Sequence, residues 1–167
     1  MKTEALISLY EEFEGDLEIQ RMVLTDEMNK NIFQKHFDLL EIISGMNIMD
    51  FGCGPGISTR DLARRANPGM VFGIDIKDSA IEAARKISKN QGVHNVEFCK
   101  MDASNVEIQD NTFHITFARN LLMSVPRPQK VLKEMVRVTK PGGCIAIVSS
   151  DGFMSNLYPL SKDLKKH

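Results

Sequence analysis

Hydrophobic positions follow two different periods along the chain. Up to residue 44 they recur every third or fourth place: Leu6, Leu9, Tyr10, Phe13 and Leu17 make one stripe, and Met28, Ile32, Phe33, His36, Leu40 and Ile43 make another. This spacing predicts amphipathic helices packed on a larger body. Gly15 and Asp16 separate the two stripes, and Thr25, with Asp26 and Glu27 behind it, is the expected N-cap of the second. From residue 46 short apolar runs alternate with helical stretches. The runs IMDF (48–51), VFGID (71–75), VEFCKMD (96–102), HITFA (114–118) and CIAIVSS (144–150) read as strands, with helices expected over 58–65, 79–90 and 128–139. Strand and helix in alternation predict an α/β fold, a doubly wound sheet of about five parallel strands with helices on both faces. Ligands of such sheets sit beyond the carboxyl ends of the strands, so the loops after residues 51, 75, 101, 118 and 150 form the expected functional edge.

The first of those loops carries the clearest chemistry. Asp50-Phe51-Gly52-Cys53-Gly54-Pro55-Gly56 follows a strand and precedes a helix, and its alternating glycines allow a sharp turn and a close approach to a ligand. The dinucleotide fingerprint would need glycine where Ile57 stands, and no Gly-Lys-Ser/Thr of a phosphate-binding loop is present. Asp50 beside the turn would repel a pyrophosphate but suits a ligand bearing an ammonium or sulfonium group. Asp75 ends the second strand, 23 positions after Gly52, where a carboxylate accepts both hydroxyls of a ribose. Asp102 and Ala103 follow the third strand and are able to hold an adenine edge. Together these features favour a nucleoside site.

Composition narrows the setting. The 167 residues hold 21 Lys plus Arg against 22 Asp plus Glu, 43% hydrophobic residues, and a length that suits one domain. A formal charge of -1 supplies no broad cationic field, which argues against nucleic acid as the main partner. No apolar run approaches the roughly 20 residues of a membrane span, and the acidic start is unlike a signal peptide. A cytoplasmic chain is the expectation. Cys53, Cys99 and Cys144 lie about 45 residues apart, a spacing unlike that of metal ligands, and are expected as reduced thiols. His36 and His114 are read as structural, and Arg119, Asn120 and Ser124, after the fourth strand, as candidates to touch a ligand.

In this order the motifs resemble the class I S-adenosylmethionine-dependent methyltransferases, especially those acting on small molecules. The matching segments are MDFGCGPGIST (49–59), VFGIDIKDSAIEAAR (71–85), VEFCKMDASNVEIQDNTFHITFARNLLMSV (96–125) and VLKEMVRVTKPGGCIAIV (131–148). The resemblance implies a Rossmann-like core, S-adenosylmethionine as cofactor and S-adenosylhomocysteine as product. It implies that Gly52, Gly54 and Gly56 pass under the methionine part, with Asp50 and Cys53 in the same loop. Asp75 would bind the ribose, Ile76 flank the adenine, Asp102 and Ala103 recognise its edge, and the backbone around Ala118 and Arg119 meet the amino-acid end. The implied reaction is methyl transfer to a small-molecule acceptor, and no catalytic base is identified.

The chain departs from the family pattern in three places. Phe113-His114 stands for the usual Phe-Asp, and Leu122-Met123-Ser124 for a common Leu-His-His. No Asn/Asp-Pro-Pro-Tyr motif follows the fourth strand, which argues against a nucleic-acid amino methylase rather than against the family. The family sheet normally continues past the fifth strand with a helix and two more strands, whereas 17 residues follow position 150 here. The expected division is a helical cap over 1–45, a cofactor-binding core over 46–150 and a short tail over 151–167. The fifth strand is then expected to be an exposed edge, met by self-association, by a partner chain, or by the segment Phe153 to Leu164. Two alternatives stay open: a methyltransferase-like subunit or truncated domain that is inactive without a partner, and a nucleotide-dependent oxidoreductase.

Overall fold

The structure, a computed structural model, describes residues 16–25 and 31–149, and the backbone of residues 26–28, 30 and 155–159. The stripe from Leu6 to Phe13 lies outside the described residues. In chain order the elements are α1 (Leu17–Met28), α2 (Lys30–Asp38), β1 (Ile48–Phe51), α3 (Ile57–Ala66), β2 (Val71–Asp75), α4 (Asp78–Asn90), β3 (Val96–Lys100), β4 (Phe113–Arg119), α5 (Pro128–Val138), β5 (Thr139–Val148) and β6 (Ser155–Pro159). They build one sheet in the order β3-β2-β1-β4-β5-β6. Strands β1 to β5 are mutually parallel, as the alternation of runs and helices requires.

Every residue of β1 is buried, because this central strand is covered on both faces. Ile48 faces Leu62, Ala63 and Ala66 of α3, together with Phe37, Ile115 and Phe117. Met49 and Phe51 face the other way, into a cluster with Val131, Met135 and Val138 of α5. The period-two alternation of a strand therefore feeds two cores at once. Burial of each such large side chain contributes roughly 1.5–3 kcal/mol.

One expectation is corrected. Thr25 is not an N-cap but lies inside α1, whose start is capped instead by Asp16: its Oδ1 accepts the Ile19 N–H at 3.1 Å. The carboxylate at the break between the two stripes thus begins the helix rather than ending a linker. The helices α3, α4 and α5 begin without any capping side chain, with Gly56, Lys77 and Arg127 at their N-caps. The edge of the fifth strand is met in one of the expected ways, by the segment Phe153 to Leu164. β5 is not an outer strand, because β6 pairs with it antiparallel, from Cys144 opposite Pro159 to Val148 opposite Ser155. β6 falls inside that segment. Unpaired backbone groups of an apolar strand favour this local pairing.

Candidate functional site

The carboxyl ends of β1, β2 and β4 open onto a cavity of about 520 Å³, roofed by α1. Its floor is the loop after β1, where Gly52 and Gly56 take φ of 67° and 73°. The two glycines serve packing as well as turning. A Cβ on Gly52 would stand 2.7 Å from Leu121 Cδ1, and one on Gly56 2.7 Å from Phe98 Cε1. Gly54 meets only Met22 Sδ, at 3.5 Å, and borders the cavity.

Asp75 fastens this floor to the end of β2. Its Oδ2 accepts the Gly54 N–H at 2.9 Å and its Oδ1 accepts the Lys77 N–H at 3.0 Å. Two oxygens hold about four acceptor positions, so the carboxylate keeps capacity for hydroxyls from the cavity side. Asp50 also borders the cavity but is only 1% exposed, and its Oδ2 accepts the Thr59 hydroxyl at 2.6 Å. Its charge reaches a ligand as a field more than as a contact. Between them, burial and then the charges of Asp50 and Asp75 push the Cys53 thiol well above its ordinary range. Cys53 therefore stays protonated and is no nucleophile.

The second wall follows β4. Asn120 adopts φ of 56° and donates its N–H to Val148 O at 2.8 Å, turning the chain so that Leu121, Met123 and Val125 line the cavity. Ser124 also lines it, and its hydroxyl donates back to Asn120 O at 3.1 Å. The Arg119 guanidinium stacks 4.2 Å from the centre of the Phe33 ring, tying this wall to α2. Burial, followed by the charge of Arg119, lowers the pKa of His36.

The roof is amphipathic, but on a different face from the one expected: Leu17, placed on the apolar stripe, is 75% exposed. Ile19 and Val23 of α1 are buried against Ala80, Ala83 and Ile87 of α4, while Glu18, Arg21, Met22 and Thr25 face the cavity. Glu18 is paired with Lys77 across the cavity mouth. Ser58, in the first turn of α3, completes the lining, and its buried hydroxyl has no hydrogen-bond partner among the described residues.

Comparison with known proteins decides the family. The sequence pattern described as "Methyltransferase domain" matches residues 42–167. The chain belongs to this methyltransferase family. A demethylmenaquinone methyltransferase of Lactococcus lactis is 31% identical over 134 residues, covering 75% of this chain and 53% of that protein. The namesake enzyme of Listeria welshimeri is 27% identical over 150 residues, covering 89% of this chain and 64% of its own length. The chain thus spans between about half and two thirds of these relatives. Among solved structures, a SAM-dependent methyltransferase from Aquifex aeolicus superposes with a TM-score of 0.64 at 28% identity, covering 68% of this chain and 61% of that one. The [4+2]-cyclase SpnF superposes with a TM-score of 0.66 at 26% identity, covering 70% of this chain and 43% of that one.

Within this methyltransferase-family fold, Asp50, Gly52, Cys53, Gly54, Asp75, Ile76 and Arg119 all line the one cavity. Gly56, Asp102, Ala103 and Ala118 do not. Gly56 and Ala118 are buried in the packing beneath it. Asp102 is exposed, and hydrogen bonds from the Ser104 backbone and then its side chain hold its carboxyl below the usual range. His114 lies at the opposite end of the sheet, its Nδ1 accepting the Asn47 N–H at 2.9 Å. Sequence reasoning missed Ser58, Lys77 and the cavity-facing side of α1. The period of Ile19 and Val23 marks the buried side of that helix, and the polar residues between them were the available signal for the other.

Proposed function

We propose that this chain binds S-adenosylmethionine in the cavity and transfers its methyl group to a small-molecule acceptor. The observation that carries the reading is Asp75, fastened by two backbone N–H groups and bordering the cavity beside Gly54. Its remaining acceptor positions match the two hydroxyls of a ribose, and Ile76, 64% exposed at the mouth, offers an apolar face to a base. The open side of Gly54 leaves room for a ligand over the loop, which is what the cofactor's methionine part requires. Bound S-adenosylmethionine supplies a methyl group already activated by its sulfonium. The residues of the chain then have three tasks: to hold the ligand, to orient an acceptor and to exclude water. Asp102 and Ala103 stand outside the lining, so the reading rests on Asp75 rather than on them.

Acceptor binding falls to Met22, Leu121, Met123 and Val125, on the walls that the proposed cofactor leaves free. These side chains suit an apolar acceptor. Two of the relatives are named for a demethylmenaquinone and a sterol, which fits the same class. In this reading residues 1–45 act as a cap, and α1 closes the cavity from water. Tyr10 and Phe13, expected to reach the site, lie outside the described residues. The strand β6 supplies the pairing that β5 needs, and the proposal invokes no partner chain.

Calorimetry with S-adenosylhomocysteine tests the site. Asp75→Ala should weaken binding by roughly 2–4 kcal/mol through loss of charge-assisted hydrogen bonds. Unchanged affinity rejects it. Turnover with a panel of quinol-like and polar acceptors then tests the acceptor class.

A further inference from the structure

The outer edge of the sheet carries a hollow that the proposed reaction does not use. β3 stands first in the strand order, and between it and the end of α4 lies a cavity of about 400 Å³. Ser88 of α4 lines it. This residue is 3% exposed, and its Oγ has no hydrogen-bond partner among the described residues. A buried hydroxyl left unpaired costs free energy that a polar ligand in the cavity recovers.

Charge selects the ligand. Residues three and four apart on a helix are neighbours, so Arg85 shares one side of α4 with Ser88 and Lys89, and all three line the cavity. The Arg85 guanidinium is pinned over the strand edge, where Nη2 donates to Phe98 O at 2.6 Å, and it carries further N–H groups. Lys89 Nζ and the ring of His94, also in the lining, have no partner among the described residues.

Two groups oppose an anion, and both are turned aside. Glu97 belongs to the lining, but side chains alternate along a strand and its carboxylate stands on the side of Cys99, whose Sγ donates to Oε1 at 3.9 Å. Phe98 points the other way, into a cluster with Ala84 of α4. The negative end of the α4 dipole is the second opponent. Its last carbonyls are engaged, since Ile87, Ser88 and Lys89 accept the N–H groups of Gln91, Val93 and Gly92 at 2.9, 3.0 and 3.2 Å. The two positive charges of Arg85 and Lys89 match a phosphate, at about −1.5 to −2, better than a singly charged carboxylate. An added strand fits this edge poorly, because Arg85 already occupies the Phe98 carbonyl.

We propose that this cavity binds the phosphate group of a small molecule, with Ser88 Oγ, Arg85 and Lys89 as donors and Val93 and Val96 against its apolar part. The site shares no lining residue with the main cavity and does not depend on the cofactor reading. Phe98 stands between the two, because its Cε1 is the atom that a Cβ on Gly56 would meet at 2.7 Å.

The test is the melting temperature of the whole chain as chloride is replaced by inorganic phosphate at constant ionic strength, with acetate in a parallel series. A ligand that binds only the folded state raises that temperature. Phosphate should raise it and acetate should not. Ser88→Ala should melt at or above the wild type in chloride, because the unpaired hydroxyl is gone. It should need about tenfold more phosphate for the same rise, the range of a hydrogen bond to a charged group. Lys89→Ala, at an exposed position, should lose most of the rise, whereas Lys35→Ala, which removes the same charge from α2, should keep it. No rise with phosphate, an equal rise with acetate, or a rise that Ser88→Ala or Lys89→Ala retains in full overturns the site. So does an equal loss in Lys35→Ala, or a Ser88→Ala chain that melts lower in chloride, which would mean that the hydroxyl is already bonded within the protein.

Discussion

The two ends of the same parallel strands use polar groups in opposite ways. At the amino ends they close on one another. Asn47 donates its N–H to His114 Nδ1 at 2.9 Å and accepts the His114 N–H at 2.8 Å on its carbonyl. Asn95 donates through Nδ2 to Ala63 O and Gly69 O, at 2.8 and 2.7 Å. At the carboxyl ends Asp75, Ser58 and the glycine loop keep hydrogen-bonding capacity directed at a cavity. Buried polar groups are normally satisfied within the protein; of the two buried hydroxyls without a partner among the described residues, Ser58 borders the cavity and Ser88, near the end of α4, does not. His114, read from the sequence as structural, sits at the amino ends, held by Asn47.

The sharpest way to break this contrast is at the cavity floor. Gly56→Ala must place a Cβ at φ of 73° and 2.7 Å from Phe98. The left-handed backbone and the overpacking together should cost roughly 2–4 kcal/mol of stability. Thermal unfolding measures it, and an unchanged melting temperature would mean that the loop yields easily and is no rigid floor.

At the opposite end, Asn95→Ala removes both donated bonds and leaves two carbonyls without them. Stability should fall by about 1–3 kcal/mol, while the affinity of the folded protein for S-adenosylhomocysteine stays as it was. Denaturant titration paired with calorimetry separates the two quantities. A loss of affinity would show that the ends are coupled.

Titration offers a third probe. The folded pKa of Cys53 is raised, by burial first and then by Asp50 and Asp75. The unfolded thiol, with an ordinary pKa near about 8.5, therefore loses its proton first, and the unfolded state binds fewer protons as pH rises. The stabilising contribution is intact below that value and declines above it, by about 1 kcal/mol at a pH roughly one unit higher. Cys53→Ala should flatten this alkaline slope, and an unaltered slope would assign it to another group.

The smallest effect belongs to the cavity mouth. The Glu18–Lys77 pair is half-exposed, so Lys77→Ala should change affinity by about twofold, within the few tenths of a kcal/mol typical of such pairs. The difference should vanish in high salt. A larger, salt-resistant loss would make Lys77 a ligand contact rather than a latch.

The core was legible before the structure because both of its signals are local. A strand buried on two faces needs an unbroken apolar run, as in IMDF, and a glycine at positive φ shows in the sequence as GCGPG. Asp75 was legible for the same reason: its place at a strand end follows from the run that precedes it. Other features depend on what lies across space. Thr25 has the chemistry of a cap, yet Asp16 starts the helix earlier, and only the packing of Ile19 and Val23 on α4 carries α1 through residue 25. Ser58 and Thr59 are adjacent and chemically alike, and the position of Asp50 alone decides which hydroxyl is consumed. The tail reads as too short for a helix and two strands, but the open edge of β5 provides a template on which Ser155–Pro159 pairs. Periodicity and glycine placement determined the sheet and its functional edge, since these act within a few residues. Tertiary structure decided which polar groups are satisfied, because hydrogen bonds are made between partners that the sequence does not place side by side.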